Sequence, residues 1–321
     1  MLNPVHLRTL RECVRTGSFA EAGRVLGHTA SAVSQQMALL ERAVGAPLFE
    51  RTARSARGTS VAERLAERSG EALAALDALE REVRSMVDGE RGGLRLASFA
   101  TANARILPDA LAALVAERPG AEVQLDEGEP DEVLGGVLDG AVDAAVVFEY
   151  DLDPREWPPQ LHVEELLAEP LRLALPAGNP AGAPGHGAAR EPVDDAVDLR
   201  ELAEQPWICT RAGTAGARSL ERWAAAAGFA PRIVFRSDDY GVIRDLVARG
   251  LGVAVLPALA VGGDRVRTAR PSDRDPHRRV KILYRRQNTN PLLPLALQCL
   301  RTSCAALAES WHGGPTRAEG A

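Results

Sequence analysis

The sequence predicts an α+β protein with several domains: a group of short helices, one long helix and an α/β body. Three observations predict this architecture. Residues 18–41 contain two short helix patterns, each opened by a hydroxyl residue, and residues 60–88 form a proline-free stretch rich in alanine and glutamate. Strand and helix patterns then alternate from residue 94 onwards, which is typical of α/β domains. A length of 321 residues also favours two or three domains.

The N-terminal region begins with a well-delimited helix. Asn3 caps its start, Pro4 occupies the first helical position and Gly17 follows its end, so the helix is predicted over 4–16. Ser18 and Glu21 have the S-x-x-E spacing of a capping box at the start of the next helix. In that helix Ala22, Val25 and Leu26 form an apolar stripe at helical spacing, which predicts that they face the core.

A third helix follows the turn at Gly27-His28. Thr29 caps it, and its apolar positions predict packing against the preceding helix. Ala30, Ser31, Ser34 and Gln35 are then left on the outer face. Two capped helices in this arrangement are typical of a helix-turn-helix that places its second helix in the DNA major groove. An ordinary surface helical hairpin is the alternative interpretation.

The segment after Gly45 predicts a β-ribbon wing. Arg51, Arg54 and Arg57 recur every third residue in a stretch rich in serine and threonine, which favours contacts with phosphates or the minor groove. A solvated loop is the alternative. Residues 1–70 hold ten arginines and six glutamates, whereas the whole chain has a net charge of −6. A basic N-terminal region therefore precedes an acidic body.

The long helix predicted over 60–88 has an interrupted apolar pattern. Its apolar or small positions alternate in steps of three and four, as in helices that pair with other helices: Ser69, Ala72, Leu76, Leu79, Val83 and Met86. We interpret it as a dimerisation helix. A core helix of the same chain is the competing explanation.

The body shows alternating strand and helix patterns. The strands are predicted at 94–98, 121–128, 142–148, 171–178, 206–210, 232–237, 252–257 and 278–286. The helices are predicted at 107–117, 132–138, 219–227, 240–249 and 292–311. Residues 179–192 have the composition of a surface loop.

Composition narrows the function classes. No apolar run reaches the roughly 18 residues of a membrane span, and the N-terminus lacks a secretion signal, so we expect a cytoplasmic protein with no membrane partner. Cys13, Cys209, Cys299 and Cys304 have no metal-ligand spacing, and we expect buried, reduced thiols and no metal site. Phosphate-loop, dinucleotide and hydrolase motifs are missing from the sequence. We therefore expect neither an enzyme nor a cofactor.

Together these motifs resemble the LysR-type transcriptional regulators along almost the whole chain. The resemblance rests on GSFAEAGRVLGHTASAVSQQMALLERAVGAPLFER in the N-terminal region, on DGAVDAAV at 139–146 and on LVARGLGVAVLP at 246–257. It implies a winged helix-turn-helix at 1–60, a linker helix at 61–90 and a two-lobed, periplasmic-binding-protein-like effector domain at 91–311. Lobe one would combine 92–148 with 267–311, lobe two would span 149–266, and 312–321 would be a disordered tail.

The resemblance also implies partners. The linker helix would join a homodimer, two dimers would form a homotetramer, and the assembly would bind double-stranded promoter DNA. A small-molecule effector in the interlobe cleft would change that binding, and RNA polymerase is a further implied partner.

The base-reading positions carried over by resemblance are Ala30, Ser31, Ser34 and Gln35, and Thr29 is also expected to contact DNA. Ala30 stands where the family often has glutamine, so it offers only apolar contact, for example to a thymine methyl group. Direct reading of bases is therefore expected from Ser34 and Gln35. The arginines of the wing would supply affinity for phosphates.

The effector positions carried over by resemblance are Thr101, Ala102, Thr210 and Arg211, with Phe148 near the crossover between lobes. Thr101 and Arg211 would suit a carboxylate. Glu129 stands where the family commonly has a small hydroxyl residue, and a buried carboxylate needs a cationic partner. We therefore expect an effector that carries an amine, for example a zwitterion resembling an amino acid.

Two other functions are compatible with parts of the sequence. Cys209 could make the protein a redox-responsive regulator. The body alone could belong to a solute-binding receptor without a regulatory role, although the missing secretion signal and the helix-turn-helix pattern argue against this.

Overall fold

The computed structural model describes residues 2–51, 56–87, 93–177, 196–262 and 266–312. Its N-terminal head contains three helices and a two-stranded antiparallel ribbon. These elements are α1 (Pro4–Thr16), α2 (Phe19–Leu26), α3 (Ala30–Val44), β1 (Phe49–Arg51) and β2 (Ala56–Gly58). The predicted winged helix-turn-helix is thereby confirmed.

The helices of the head begin where the sequence predicts. Asn3 Oδ1 accepts a hydrogen bond from the Val5 amide at 2.9 Å, and Thr29 Oγ1 accepts one from the Ala32 amide at 3.2 Å. Ser18 Oγ accepts a bond from the Glu21 amide at 3.3 Å. The Glu21 carboxylate, however, pairs with Arg24 instead of returning to the Ser18 amide. Only half of the predicted capping box forms, because a cation one turn away competes for the carboxylate.

The core of the head lies between α1 and α3, with Leu10, Val33, Met37 and Leu40 buried. The prediction that Val25 faces this core is wrong, because its side chain is exposed. The turn after α2 lies close against this helix. A Cβ atom on Gly23 would come within 2.7 Å of the carbonyl oxygen of His28.

The long helix α4 spans Ser60–Val87. Its first half packs against the head through Ala62, Ala66 and Leu73. In its second half Leu76, Leu79 and Val83 are between 40% and 55% exposed. Apolar side chains at spacings of three and four residues therefore line a helix face that no described part of the chain covers.

The body contains the remaining helices and strands, in mixed order along the chain. The strands are β3 (Gly93–Ser98), β4 (Glu122–Glu127), β5 (Ala144–Tyr150), β6 (Leu161–Pro176), β7 (Ala196–Val197), β8 (Pro206–Cys209), β9 (Arg232–Arg236), β10 (Ala254–Pro257), β11 (Val266–Pro271) and β12 (His277–Arg285). The helices are α5 (Ala100–Arg105), α6 (Leu107–Glu117), α7 (Pro130–Asp139), α8 (Ala215–Ala226), α9 (Tyr240–Ala248) and α10 (Leu293–His312). Two 3₁₀ turns lie at Leu199–Leu202 and Ala258–Ala260.

One long sheet connects the two lobes. Its strand order is β4-β3-β5-β12-β6-β11-β7, with β10 also paired to β6, while β8 and β9 form a separate parallel pair. Strands β3, β4 and β5 are parallel, and β12 runs antiparallel to both β5 and β6. The predicted α/β body is confirmed.

Strand β6 passes from one lobe to the other. Its residues 161–170 pair with β12, whereas residues 171–176 pair with β10 and β11. This pairing differs from the expected lobe boundaries at 148/149 and 266/267, because 161–170 lie with lobe one and β11 lies with lobe two. The strand pairing indicates that the chain crosses from lobe one to lobe two near residue 170 and returns to lobe one at 272–276.

Several sequence predictions concern residues outside the described ranges. They include the surface loop at 179–192, the tip of the wing and most of the terminal segment 312–321. Within the described ranges, no helix combines the length and apolarity needed to cross a bilayer.

Candidate functional site

The first candidate surface is the N-terminal end of α3. Ala30, Ser31 and Gln35 are exposed there, and Ser34 is half-buried on the same side. Thr29 is also exposed, although its hydroxyl oxygen already accepts the cap bond from the Ala32 amide. The surface therefore offers one amide and two serine hydroxyls for hydrogen bonds with a ligand, beside one apolar methyl group.

The wing is anchored to the C-terminal part of α3 and to α2. The Glu41 carboxylate of α3 accepts hydrogen bonds from the amides of Leu48 and Phe49, at 2.9 and 3.3 Å. The Phe49 ring contacts Phe19 edge-on, with ring centroids 5.0 Å apart. Arg57 is exposed on β2. The backbone of Arg51 pairs with β2, whereas its side chain and all of Arg54 lie outside what the structure describes.

The second candidate site is a cleft between the two lobes. It contains about 390 Å³ of space between atoms, part of which is open to solvent. Both lobes contribute to its lining: Phe99, Ala100, Thr101, Glu129, Phe148, Tyr150, Thr210, Thr214, Gly216, Asp238, Tyr240 and Arg278.

One wall of the cleft is built around Arg278, which is only 1% exposed. Its Nε donates to Glu169 Oε1 at 2.5 Å, and its Nη2 donates to the Thr101 hydroxyl at 2.6 Å. The guanidinium also lies 4.9 Å from the ring centroids of Phe99 and Phe148. Although burial disfavours the charged form, the neighbouring Glu169 carboxylate raises the pKa of Arg278 above its ordinary value. Arg278 is therefore charged, and the buried Glu169 carboxylate balances its charge.

Two acidic side chains, Glu129 and Asp238, also line the cleft. Glu129 is half-buried at the N-terminal end of α7, and burial, with a smaller contribution from Asp238, raises the pKa of its carboxyl group. None of the described cationic side chains forms a salt bridge with Glu129. Asp238 accepts a hydrogen bond from the Arg211 amide at 2.9 Å and pairs with the Arg211 side chain.

A second cavity lies beside the cleft, mainly in lobe two. The space between atoms there is about 370 Å³, part of which is open to solvent. The described residues that line it are uncharged: Tyr150, Leu171, Ile208, Cys209, Thr210, Gly216, Ser219, Leu220, Trp223, Tyr240, Val255 and Pro257. Tyr150 and Tyr240 belong to both cavities, and their hydroxyl oxygens are 3.4 Å apart.

Two family models match the chain over most of its length. The model described as "Bacterial regulatory helix-turn-helix protein, lysR family" matches residues 4–63, and the model described as "LysR substrate binding domain" matches residues 88–305. The chain belongs to the LysR family of bacterial transcriptional regulators. Like other LysR-family members, it combines a DNA-binding head with an effector-binding domain.

Individual relatives agree with this assignment. The regulator IlvR from Caulobacter vibrioides is 32% identical over 255 residues, which cover 79% of this chain and 80% of that protein. A full-length cysteine-to-aspartate variant of OxyR from Pseudomonas aeruginosa has the same fold, with a TM-score of 0.60, 20% identity and 95% coverage of both chains. Full-length CbnR in complex with its target DNA matches with a TM-score of 0.56 and 22% identity over 94% of this chain and all of that one.

The cleft of this LysR-family protein contains four of the six effector residues suggested by the sequence: Thr101, Glu129, Phe148 and Thr210. Ala102 and Arg211 do not line it. Ala102 is rotated by one residue from Thr101 around α5 and is wholly buried in the core. The Arg211 side chain is 69% exposed and turns towards Asp238.

Sequence reasoning missed the residues that give the cleft its charge pattern. Arg278 lies in a strand where arginines occupy three of the nine positions, and nothing local distinguishes it from its more exposed neighbour Arg279. The available signal was Glu169, a single acidic residue in an otherwise apolar stretch of β6, which demands a buried cation. Tyr150 and Tyr240 come together only through the tertiary fold.

The four cysteines are free and buried. Burial raises the pKa of the Cys13 and Cys304 thiols to about 12 and also raises that of Cys209. The Cys209 sulfur lies 3.9 Å from the Thr210 hydroxyl. In the part of the chain that the structure describes, no cluster of three or more histidine, cysteine or acidic side chains could hold a metal ion.

Proposed function

We propose that this LysR-family regulator binds promoter DNA through α3 and the wing, and that a zwitterionic small molecule in the interlobe cleft modulates this binding. The observation that carries the effector assignment is that side chains of both charge signs line the cleft. Arg278 and Glu129 line the same space. A ligand with one carboxylate and one ammonium group could pair with both.

The carboxylate of the effector would lie near Arg278 and the Thr101 hydroxyl. The Thr101 hydroxyl already accepts a hydrogen bond from Arg278 Nη2. A bound carboxylate would therefore add charge-assisted hydrogen bonds to this pair. The ammonium group would lie near Glu129, whose carboxylate is half-buried and has no salt bridge to a described residue. Pairing would therefore compensate a charge that is costly to bury alone. Phe148 and Thr210 would contact the middle of the ligand.

For DNA, we propose direct reading by Ser34 and Gln35 and contacts by Thr29, Ala30 and Ser31 at the same helix end. Arg51, Arg54 and Arg57 would bind phosphates. The exposure of Gln35 beside two serine hydroxyls supports this assignment. Because few strong base contacts are available, specificity would depend heavily on paired half-sites and on DNA shape.

The uncovered stripe on α4 supports a homodimer. Leu76, Leu79 and Val83 are exposed in the single chain, and a second copy of the helix would bury them. We further propose a homotetramer that acts on promoters in the cytoplasm, with RNA polymerase as a partner, and a role in binding rather than catalysis. The strand pairing supports lobe one at 93–170 and 277–312, and lobe two at 171–271.

Neither of the two alternative functions gains support. A redox sensor needs a reactive thiolate, whereas burial raises the pKa of Cys209 and favours its neutral thiol. A solute receptor without a regulatory role does not account for a complete winged head.

The effector assignment is tested by calorimetric titration of the full-length protein with a set of neutral amino acids. Glu129→Gln should weaken binding about tenfold or more, because it removes the partner of the ammonium group. Asp131→Asn is the matched control, since Asp131 lies on the same helix but pairs with Arg155 at the surface. Equal affinity in wild type and Glu129→Gln would refute the role of Glu129.

A further inference from the structure

Lobe one of the body lies directly against the head and the long helix α4. The Arg11 side chain of α1 pairs with Asp139, the last residue of α7. Arg11 reaches Asp139 beside Gly70 of α4, where a Cβ atom would come within 2.5 Å of Arg11 Nη1 and 3.4 Å of Asp139 Oδ1. We call the meeting point of Arg11, Gly70, Ala74, Asp139 and Gly140 the head–body contact.

Small residues bring α4 and the end of α7 close together. Gly140 follows α7 in the left-handed conformation, with a φ of 75°, and a Cβ atom there would lie 3.0 Å from the Ala74 Cβ. Ala74 is only 5% exposed. Because neither Gly70 nor Gly140 has room for a methyl group, a shift of α7 by about 1–2 Å must change the packing here.

The salt bridge at this contact is not needed to complete α7. Arg285 Nη1 donates to the Val137 carbonyl oxygen, and Arg95 Nη2 donates to the carbonyl oxygen of the glycine that follows α7, both at 2.9 Å. These bonds within the body satisfy the end of the helix. The Asp139 carboxylate, whose charge is unfavourable at a helix C-terminus, pairs with Arg11 of the head. It therefore joins lobe one to the head.

The head–body contact is held by a small net free energy. The Arg11 and Asp139 side chains are 22% and 36% exposed, and solvent weakens such a pair. Arg11 Nη1 is buried and has no hydrogen-bond partner among the described residues. An unpaired buried donor opposes the closed arrangement. A modest change elsewhere in lobe one is therefore sufficient to open or close the contact.

The other end of α7 lies at the effector cleft. Glu129 lines the cleft and immediately precedes α7, and its amide donates to Glu132 Oε2 in the first turn at 2.9 Å. The helix has ten residues and is therefore about 15 Å long. Val133 and Val137 anchor it in the core of lobe one. A single helix thus connects the cleft with the head–body contact.

We propose that Arg11 and Asp139 position lobe one against the head, and that α7 links the occupancy of the cleft to this contact. When an ammonium group pairs with Glu129, the first turn of α7 shifts with it. The end of the helix then alters the packing of Gly140 on Ala74 and the pairing of Asp139 with Arg11. The link rests on the proposed function, which supplies the ligand, whereas the positioning role does not depend on that ligand.

The link is tested by measuring the affinity of the full-length protein for the DNA upstream of its own gene by fluorescence anisotropy. Glycine, serine, valine and phenylalanine are each added at saturating concentration. We expect at least one of them to change the affinity of wild type by fivefold or more, and that of Asp139→Asn by less than twofold.

Two further variants serve as controls. Asp77→Asn should respond as wild type, because Asp77 of α4 pairs with Arg8, one turn before Arg11 on α1. The charge swap Arg11→Asp/Asp139→Arg should restore the response that Asp139→Asn loses. A purely structural role of Asp139 would not give this rescue.

Small-angle X-ray scattering of the full-length protein, without DNA or amino acid, tests the positioning role. Asp139→Arg places two cations at the contact and should increase the radius of gyration. Wild type, Asp77→Asn and the charge swap should give one common scattering curve, and circular dichroism checks that every variant folds. An unchanged curve for Asp139→Arg would overturn the positioning role.

The outcomes separate this inference from the proposed effector. A response that persists in Asp139→Asn would overturn the link through α7, although the zwitterion assignment would stand. If none of the amino acids changes DNA binding by wild type, the zwitterion assignment falls and the link falls with it. The scattering comparison then still decides whether Arg11 and Asp139 position lobe one.

Discussion

The buried pair of Arg278 and Glu169 supports a quantitative prediction about stability. Both side chains are at most 1% exposed, and Glu169 also accepts a hydrogen bond from the Leu259 amide at 2.7 Å. Arg278→Met keeps most of the side-chain volume but leaves a buried carboxylate without its cation. Removing one member of a buried pair costs about 3–5 kcal/mol. We expect Arg278→Met to lower the free energy of unfolding by this amount.

The double variant Glu169→Gln/Arg278→Met should lose much less than the sum of its two single variants. Glutamine can still accept the hydrogen bond from the Leu259 amide, and no charge remains buried. We expect the double variant to lose no more than about 3 kcal/mol, against a sum of about 6–10 kcal/mol for the two single variants. Additive losses would refute the interpretation that the two charges stabilise each other.

Urea denaturation followed by tryptophan fluorescence measures these losses, because Trp207 and Trp223 lie wholly buried in the body. Burial already raises the pKa of Glu169 in the wild type, although Arg278 opposes this shift. A carboxyl group whose pKa is raised by folding stabilises the fold at low pH, and this contribution is lost as the pH rises through the folded pKa. The loss of unfolding free energy in Arg278→Met, relative to wild type, should therefore be smaller at about pH 5 than at about pH 8. A larger relative loss at the lower pH would contradict the reasoning.

Three further predictions concern the other proposed surfaces. The double variant Ser34→Ala/Gln35→Ala should reduce discrimination between operator and unrelated DNA by about 1–3 kcal/mol. Arg57→Ala should weaken binding to the two DNAs alike and reduce the slope of log affinity against log salt concentration by about 1. Fluorescence anisotropy measures these affinities, and unchanged discrimination in the double variant would exclude direct reading by α3. Leu79→Glu should dissociate dimers in light scattering, and an unchanged mass would exclude α4 as the dimer contact. Cys209→Ser should leave DNA binding in the presence of peroxide as in wild type; a difference between them would restore the redox alternative.

The head could be predicted closely because its determinants are local. Caps at Asn3 and Thr29 and the glycine at position 17 set helix ends through contacts within a few residues. Val25 was misjudged because helical periodicity does not show how much of a short helix its neighbour covers. That coverage is set by the tertiary packing of the three helices.

The first half of β6 was missed because its glutamates break the apolar pattern of a buried strand. In the fold, Glu164 pairs with Arg301 and Glu165 with Arg279, so partners distant in sequence satisfy these charges. The residues of the cleft likewise include some that only contacts distant in sequence bring into place. Thr101 and Glu129 follow strands and could be inferred from the chain direction, whereas Arg278 reaches the cleft through strand pairing with a segment 109 residues earlier in the chain.

The most direct test of the whole account is footprinting of the purified protein on the DNA upstream of its own gene, with and without a saturating neutral amino acid. We predict a protected region with paired half-sites whose extent or hypersensitive positions change when the amino acid is added. An identical footprint with and without every neutral amino acid tested would contradict the claim that a zwitterion in the cleft controls DNA binding.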